Sequence, residues 1–300
     1  MKKRNRSINL LLMDEVANGL VKCSLANWTG LTYKIPRTEL DKCKEIPALK
    51  QTGVYFLFGR SDETGEEVVY VGQAGIRKNG EGILLRLLEH RKNEKKDYWT
   101  EAVVFTTSND SFGPTEISYL ENQFCNMAKV ANRYTVKNSN DPTPGNITEE
   151  KKCELDEFID FSTTIMRTLG HQVFEPLVSN EKVDSDNVSS TVVDDEPLFY
   201  FNRTAGKASG RRTADGFVVF EGSSIDLKMT NSCPKGVRRY REKYAKKIGS
   251  DGVLSANLLF TSPSAAAGFV GGASLNGNAT WKTEDGRTLK EVEEAEGVLV

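Results

Sequence analysis

The sequence predicts an α+β fold in two parts, a small antiparallel sheet flanked by helices followed by a second small α+β domain. Three observations carry that expectation. Two β-rich apolar runs, 53–59 and 67–72, are joined by the polar Arg60-Ser61-Asp62-Glu63-Thr64-Gly65, which reads as a hairpin loop. Helical stripes follow these strands instead of alternating with them one for one. An acidic segment, 179–197, holds six acids and one lysine and has no periodicity beyond Thr191-Val192-Val193, so it reads as a linker between 1–178 and 198–300.

The elements follow in chain order. The first part opens on an N-terminal β extension ahead of its core at 53–138. Gly53-Val54-Tyr55-Phe56-Leu57-Phe58-Gly59 is a continuous apolar run, as a strand buried on both faces requires, and Glu67-Val68-Val69-Tyr70-Val71-Gly72 is its partner. A helix is expected over 83–92, and 102–106 is a third strand by its β-branched and aromatic content. Past Pro114 a second helix runs to about Ala131, with Ile117, Leu120, Phe124, Met127 and Ala131 at helical spacing. A third runs from Thr148, an N-cap followed by Glu149 and Glu150, to Gly170 as its stop. Beyond the linker, 216–221 reads as a strand and 235–248 as a strongly basic helix, and Ser262-Pro263-Ser264 starts an Ala-rich helix.

Composition excludes several classes. The chain has 40 basic and 42 acidic residues, a balance that taken whole disfavours a nucleic-acid partner. Its distribution does not: 198–282 carries +8 and 1–50 carries +5, against -5 for the linker and -4 for 284–300. Five scattered cysteines without a C-x-x-C spacing speak against zinc ribbons, redox motifs and disulfide frameworks, and two histidines leave little for a His-rich metal site. The basic start and the run Ile8-Asn9-Leu10-Leu11-Leu12-Met13 imitate a signal peptide, but Asp14-Glu15 stop it and no small-residue cleavage site follows. Nowhere do about 18 apolar residues run together, so no membrane span is expected and the chain reads as cytoplasmic.

The chemistry concentrates on a few side chains. Ile83, Leu84, Leu87 and Leu88 form the buried face of the first helix, and Arg86 and His90 stack at its edge, four residues apart. Glu121 lies beside the apolar stripe of the second helix, an unusual place for an unpaired carboxylate. Two tyrosines, an arginine, a histidine and one glutamate are the inventory of single-metal phosphodiester hydrolysis. A carboxylate holds the cation, a phenol or imidazole handles the proton of water, and a guanidinium neutralises phosphate.

These segments together resemble the GIY-YIG nucleases. Gly53-Val54-Tyr55 stands for the first tripeptide and Tyr70-Val71-Gly72 for the second. Arg86-Leu87-Leu88-Glu89-His90 is similar to the family's arginine helix, and Thr115-Glu116-Ile117-Ser118-Tyr119-Leu120-Glu121 to the segment ending in its metal-binding glutamate. A family asparagine follows about a dozen residues later, Asn132 being the nearest candidate and Asn138 the alternative. The resemblance implies that Tyr55 orients or deprotonates the attacking water with help from His90, and that Tyr70 holds the scissile phosphate. It implies further that Arg86 stabilises the developing charge and that Glu121 binds one divalent cation, Mg²⁺ or Mn²⁺. An inserted Lys78-Asn79-Gly80-Glu81-Gly82 makes Arg77 a rival for the catalytic arginine, but Arg77 lacks a partner four residues on, and Arg86 is retained.

The second part resembles an uncharacterised domain that recurs behind GIY-YIG modules and is similar to domains of restriction–modification-associated proteins. The resemblance lies in Gly216-Phe217-Val218-Val219, Gly249-Ser250-Asp251-Gly252-Val253-Leu254, Ser262-Pro263-Ser264-Ala265-Ala266-Ala267 and the stretch from Asn276-Gly277 to Asp285-Gly286. Asn278 stands where that family favours tryptophan. On the basic helix, Lys235, Arg238, Arg239, Arg241, Lys243, Lys246 and Lys247 surround a Val237/Tyr240/Tyr244/Ile248 stripe that would anchor it while the charges meet phosphate. Gly206-Lys207 is no phosphate loop, since Ala208 replaces Ser or Thr, and Gly271-Gly272 lacks the context of a dinucleotide site. His171 reads as structural.

The expectation is therefore a metal-dependent endonuclease acting on DNA, with RNA as the other candidate strand. A homodimer is expected where both strands are cut, and a restriction or phage-defence setting follows only from the second resemblance. The competing expectation is a nucleic-acid-binding or regulatory protein that keeps the fold without cleaving.

Overall fold

Residues 53–58 are buried without exception, which follows from where their strand lies in the computed structural model of the chain. The structure describes residues 5–62, 65–75, 82–93, 96–177, 196–203, 206–231 and 233–297. Arg77, most of the loop before the arginine helix, and all but the end of the acidic linker lie outside the described residues. The chain divides into two units, Met1–Pro176 and Leu177–Val300.

In the first unit the described strands are β1 (Ile8–Leu12), β2 (Val21–Leu25), β3 (Gly30–Pro36), β4 (Gly53–Arg60), β5 (Glu67–Ala74), β6 (Trp99–Thr107) and β7 (Thr135–Val136). They form one sheet in the order β1-β2-β3-β6-β4-β5-β7, antiparallel except for the short parallel pair β5–β7. Helix α1 spans Ile83–Lys92, α2 Pro114–Ala131 and α3 Glu149–Thr168. The two faces of the sheet build separate cores. Val54, Phe56, Val71 and Phe105 pack with Leu120, Phe124 and Phe158 of α2 and α3. Tyr55, Leu57, Trp99 and Val104 pack with Ile83 and Leu87 of α1 and with Leu40 and Leu49 of two 3-10 turns. A central strand covered on both faces has no polar alternation to display, hence the unbroken run.

The expected helices hold their bounds at 83–92 and 114–131, and Thr148 caps α3 by accepting from the Lys151 N–H at 3.3 Å. Gly170 then turns the chain at φ +97, a conformation that favours glycine. The strand expected over 102–106 is longer, because Trp99 is buried in the second core and extends the pairing.

The second unit holds a four-stranded antiparallel sheet ordered β11-β10-β9-β8, from β8 (Phe199–Arg203), β9 (Gly206–Thr213), β10 (Gly216–Val219) and β11 (Leu258–Phe260). With it come α4 (Lys235–Lys243), α5 (Pro263–Gly271), α6 (Gly277–Thr280) and α7 (Leu289–Gly297). Phe199, Phe201, Phe217, Phe260, Phe269 and Trp281 are its largest buried side chains. The fold is thus α+β in both units, as expected. Two expectations need correction. The basic helix stops at Lys243 and continues only as a 3-10 turn, Ala245–Lys247. Tyr244 leaves the helical region there, its hydroxyl donating to the Leu259 carbonyl at 2.8 Å and its ring set against Phe260 and Phe269. The strand expected over 216–221 ends at Val219, with Gly222 at φ +80 in the turn beyond.

Candidate active site

The hairpin register places the two tyrosines. Tyr55 pairs with Gly72 and Leu57 with Tyr70, so both phenols project from the face of the sheet that carries α1, two rungs apart on neighbouring strands. Their ring centroids are 6.3 Å apart. The two motif glycines have separate physical reasons. A Cβ at Gly72 would come within 2.4 Å of the Tyr55 hydroxyl, so any side chain there would evict the phenol. A Cβ at Gly53 would meet the Phe105 carbonyl oxygen at 2.4 Å and block the approach of β4 to β6. Val54 and Val71 face the other way, fully buried against the core under α2 and α3.

Helix α1 brings in the third and fourth groups. His90 is buried with Nε2 2.7 Å from the Tyr55 hydroxyl, and its ring centroid lies 5.4 Å from those of both tyrosines. Burial foremost, then the nearby Lys96 and Arg86 charges, push His90 down to about 3, so the imidazole is neutral at physiological pH. A neutral ring can accept the Tyr55 proton. Burial also pushes the Tyr55 phenol well above its ordinary value, with Arg86 pulling the other way. Tyr55 therefore rests as a protonated, hydrogen-bonded phenol.

Arg86 lies close enough to the phenols of Tyr55 and Tyr70 to favour their ionised forms, and its Nη1 donates to Glu89 Oε2 at 2.8 Å. Burial works against its charge, but Glu89 and Tyr55 outweigh that cost and hold it above the usual arginine value. Tyr70 is only partly buried. Burial and the Glu121 carboxylate raise its phenol, so it too is a neutral donor at working pH.

Glu121 reaches the same place from α2. Its carboxyl is raised by burial, while Gln73 and Arg86 hold it back, and it acts electrostatically on both tyrosines. Gln73 follows the second tripeptide on β5, lies beside Glu121 closely enough to lower its carboxyl, and meets the Ser118 hydroxyl at 3.3 Å. Since α1 and α2 cover opposite faces of the sheet, Arg86 and Glu121 can approach each other only around the rim of β5. The β7 pairing covers Val68 and Val69 alone, so Gly72 and Gln73 lie beyond it.

Among the described residues no group of three or more His, Cys, Asp or Glu side chains converges, so a cage made of protein alone is not formed. One hard, partly desolvated carboxylate held by an amide suits a hydrated Mg²⁺ or Mn²⁺ that takes its other oxygens from water and phosphate. The residues fit that kind of ion and no thiolate- or imidazole-bound one.

The asparagine needs correction. Asn132 is exposed and serves as the left-handed C-cap of α2, at φ 51, with its backbone N–H on Ala128. The alternative, Asn138, is the one on β5: its Nδ2 donates to the Val71 carbonyl at 2.8 Å and its Oδ1 accepts from the Val71 N–H at 3.0 Å. It extends the β7 pairing by one rung with a side chain and leaves the second tripeptide's backbone satisfied. Spacing alone could not separate the two, because a loop of unknown length lies between helix and rim.

Lys96 was not legible at all. Its ammonium sits 3.3 Å from the centroid of the Tyr70 ring, and burial, with Arg86, pushes it down to about 8. His171, expected to be structural, stacks on Phe58 at 3.7 Å and pairs Nε2 with Glu101 at 2.6 Å, outside this cleft.

The basic helix of the second unit also needs revision. Arg241 is buried, and its Nε donates to the Phe269 carbonyl and its Nη2 to that of Asp226, at 2.8 and 2.6 Å. It ties α4 to α5 and, being buried, is turned away from solvent and phosphate. Arg238 donates to the carbonyls of Cys233 and Thr230. Lys235, Arg239, Lys243 and Lys246 remain exposed, with Lys247 half-buried. Arg241→Gln should therefore destabilise the second unit by about 2 kcal/mol, the scale of lost hydrogen bonds to a charged group. DNA affinity measured well below the melting temperature should not change, whereas Arg239→Gln should weaken it; the reverse pattern would return Arg241 to the interface.

Comparison with known proteins adds one finding. Residues 199–293 match the model of a family described as a domain of unknown function (DUF4357), so the second unit contains a domain of uncharacterised type. No curated protein and no solved structure matches the chain.

Proposed function

We propose that the first unit is the catalytic module of a divalent-metal-dependent endonuclease of the GIY-YIG type, acting on DNA. The observation that carries this reading is the convergence of Tyr55, Tyr70, Arg86, His90 and Glu121, from two strands and two helices, around the β5 rim. A module that only binds nucleic acid has no need of a carboxylate pushed up by burial among phosphate-seeking groups.

Water is activated by the Tyr55–His90 pair: the phenol takes the proton of the attacking water as it passes its own to His90 Nε2, a transfer that requires the negative phosphate in the cleft to lift the imidazole from its resting value of about 3. Arg86 and the Tyr70 hydroxyl donate to the non-bridging oxygens of the phosphate as negative charge builds on them. Glu121, oriented by Gln73, would hold the cation. When bound, that ion supplies Lewis-acid stabilisation of the phosphate and the leaving oxygen. Lys96, stacked on Tyr70, adds positive charge that favours an anionic substrate. The exposed bases of α4 supply sequence-independent contacts to the backbone. All five cysteines are free thiols and four are buried, in keeping with a cytoplasmic setting, and no described helix is long and apolar enough to cross a membrane.

Nicking of supercoiled plasmid with Mg²⁺ tests the reading. Nicking by wild-type protein that depends on the cleft residues supports it. Retardation of DNA without a cut, across metals and substrates, would favour the binding-protein reading.

The pH profile adds a second test. The charged form of Lys96 is the useful one, so the rate should fall as pH rises through about 8, and Lys96→Met should be slower and lose that limb. No acid limb should appear at about 6.5, the ordinary histidine value, because His90 stays neutral down to about 3. A rate that collapses below pH 6.5 would show that His90 is not held neutral by its burial.

A further inference from the structure

The edge of the second sheet carries a feature that the basic helix does not account for. Phe199 and Phe201 are fully buried, so the alternation of β8 turns Tyr200 and Asn202 to its other face. Tyr200 and Lys282 exchange both backbone hydrogen bonds, at 2.6 and 3.0 Å, which adds one more antiparallel rung beyond β8. Trp281 and Thr283 are buried, so the exposed Lys282 lies on the Tyr200 face. On the other side of β8, the exposed Lys207 stands opposite Asn202.

These side chains border a concavity of about 860 Å³ lined by Tyr200, Asn202, Arg203, Asn276, Thr280 and Lys282. Tyr200 also lines a second concavity of about 510 Å³. Arg203, Lys207 and Lys282 form no ion pair among the described residues, though Lys282 lies near enough to Glu291 to lower its carboxyl; Glu284 is the acid in the same lining. The two wall segments, 200–203 and 276–286, both fall within the stretch matched by the uncharacterised domain family.

We propose that this groove binds single-stranded nucleic acid, one base lying on the Tyr200 ring and the neighbouring phosphates on Lys282 and Arg203. An aromatic ring flanked by cations at the edge of a sheet is a stacking platform that takes any unpaired base. The volume suits a nucleotide unit. Amide and hydroxyl groups of Asn202, Asn276 and Thr280 can meet base edges. A duplex keeps its bases stacked on one another and cannot offer one to a ring in a concavity. An acidic peptide would use the cations but not the ring. The proposal does not depend on cutting by the first unit.

Fluorescence anisotropy of a short labelled oligothymidine with the full chain, in EDTA so that nothing is cut, tests it. Tyr200→Ala should weaken binding roughly 5- to 100-fold, the range of one lost base–aromatic stack, and Tyr200→Phe should retain it. Lys282→Gln should reduce the slope of log affinity against log salt by about 0.7, one phosphate on a single strand. Affinity unchanged in Tyr200→Ala would overturn the proposal. So would equal dependence of a matched duplex on Tyr200, or displacement of the oligonucleotide by a polyglutamate peptide as readily as by unlabelled oligothymidine. If Tyr200→Ala melts early, Lys282→Gln at unchanged melting temperature decides the matter by its salt slope. The anisotropy reads binding in EDTA, whereas the nuclease reading is tested by Mg²⁺-dependent nicking, so failure here and failure there are told apart.

Discussion

Glu121→Gln should leave the protein folded and lower Mg²⁺-dependent nicking about 10³-fold, the effect of losing several kcal/mol of charge stabilisation at the reacting phosphate. The substitution is nearly isosteric and keeps an oxygen and an amide for Gln73. It also removes a carboxylate that burial already disfavours, so the melting temperature should hold or rise slightly. Activity and stability should therefore move apart, a pattern that general damage to the fold cannot produce. Titrating Mn²⁺ against both proteins supplies the control: the variant should need far more ion for any residual rate. Undiminished nicking by Glu121→Gln would remove Glu121 from the metal assignment and leave the cleft without a hard anionic donor.

The second large effect concerns the Tyr55–His90 pair. Tyr55→Phe deletes one oxygen from a buried ring, so packing survives, and the rate should fall by about 10² to 10⁴, the range of a lost general base. His90→Gln should fall by a similar factor. The double variant should be little worse than the worse single one, because the two groups move one proton in series and each is idle without the other. Tyr70→Phe should instead combine additively with His90→Gln, since Tyr70 serves the phosphate. Full additivity of Tyr55→Phe with His90→Gln would break the relay into independent contributions. Single-turnover nicking with circular dichroism on every variant is the measurement required.

Much of this arrangement could be read from the chain. The β4 run is unmistakable because both faces of that strand are covered, and Tyr55, Tyr70, Arg86 and Glu121 are marked by their spacing on elements whose type is clear. The rest was hidden for particular reasons. Gln73 and Lys96 belong to no periodic pattern, and their importance lies in what folds against them: Glu121 in one case, the Tyr70 ring in the other. Arg241 looks like its basic neighbours in sequence, and only packing of α4 on α5 turns its guanidinium inward. The asparagine was misplaced to Asn132 by six residues because a cap and a rim contact use the same residue type. Helix α7 escaped notice because its acids dominate the composition of the tail, while Leu289 and Val292 are the residues that dock it.

The position of the cleft at the β5 rim has a consequence for when the protein can be dangerous. Its arginine and its glutamate ride on layers that meet opposite sides of one sheet, so neither a lone hairpin nor a sheet with a single helix layer holds a working set. Competence is all-or-none. If the first unit cuts as proposed, a nascent or half-denatured chain carries every residue of the cutting apparatus and yet has no blade, which would spare the nucleic acid around it until the last layer has docked.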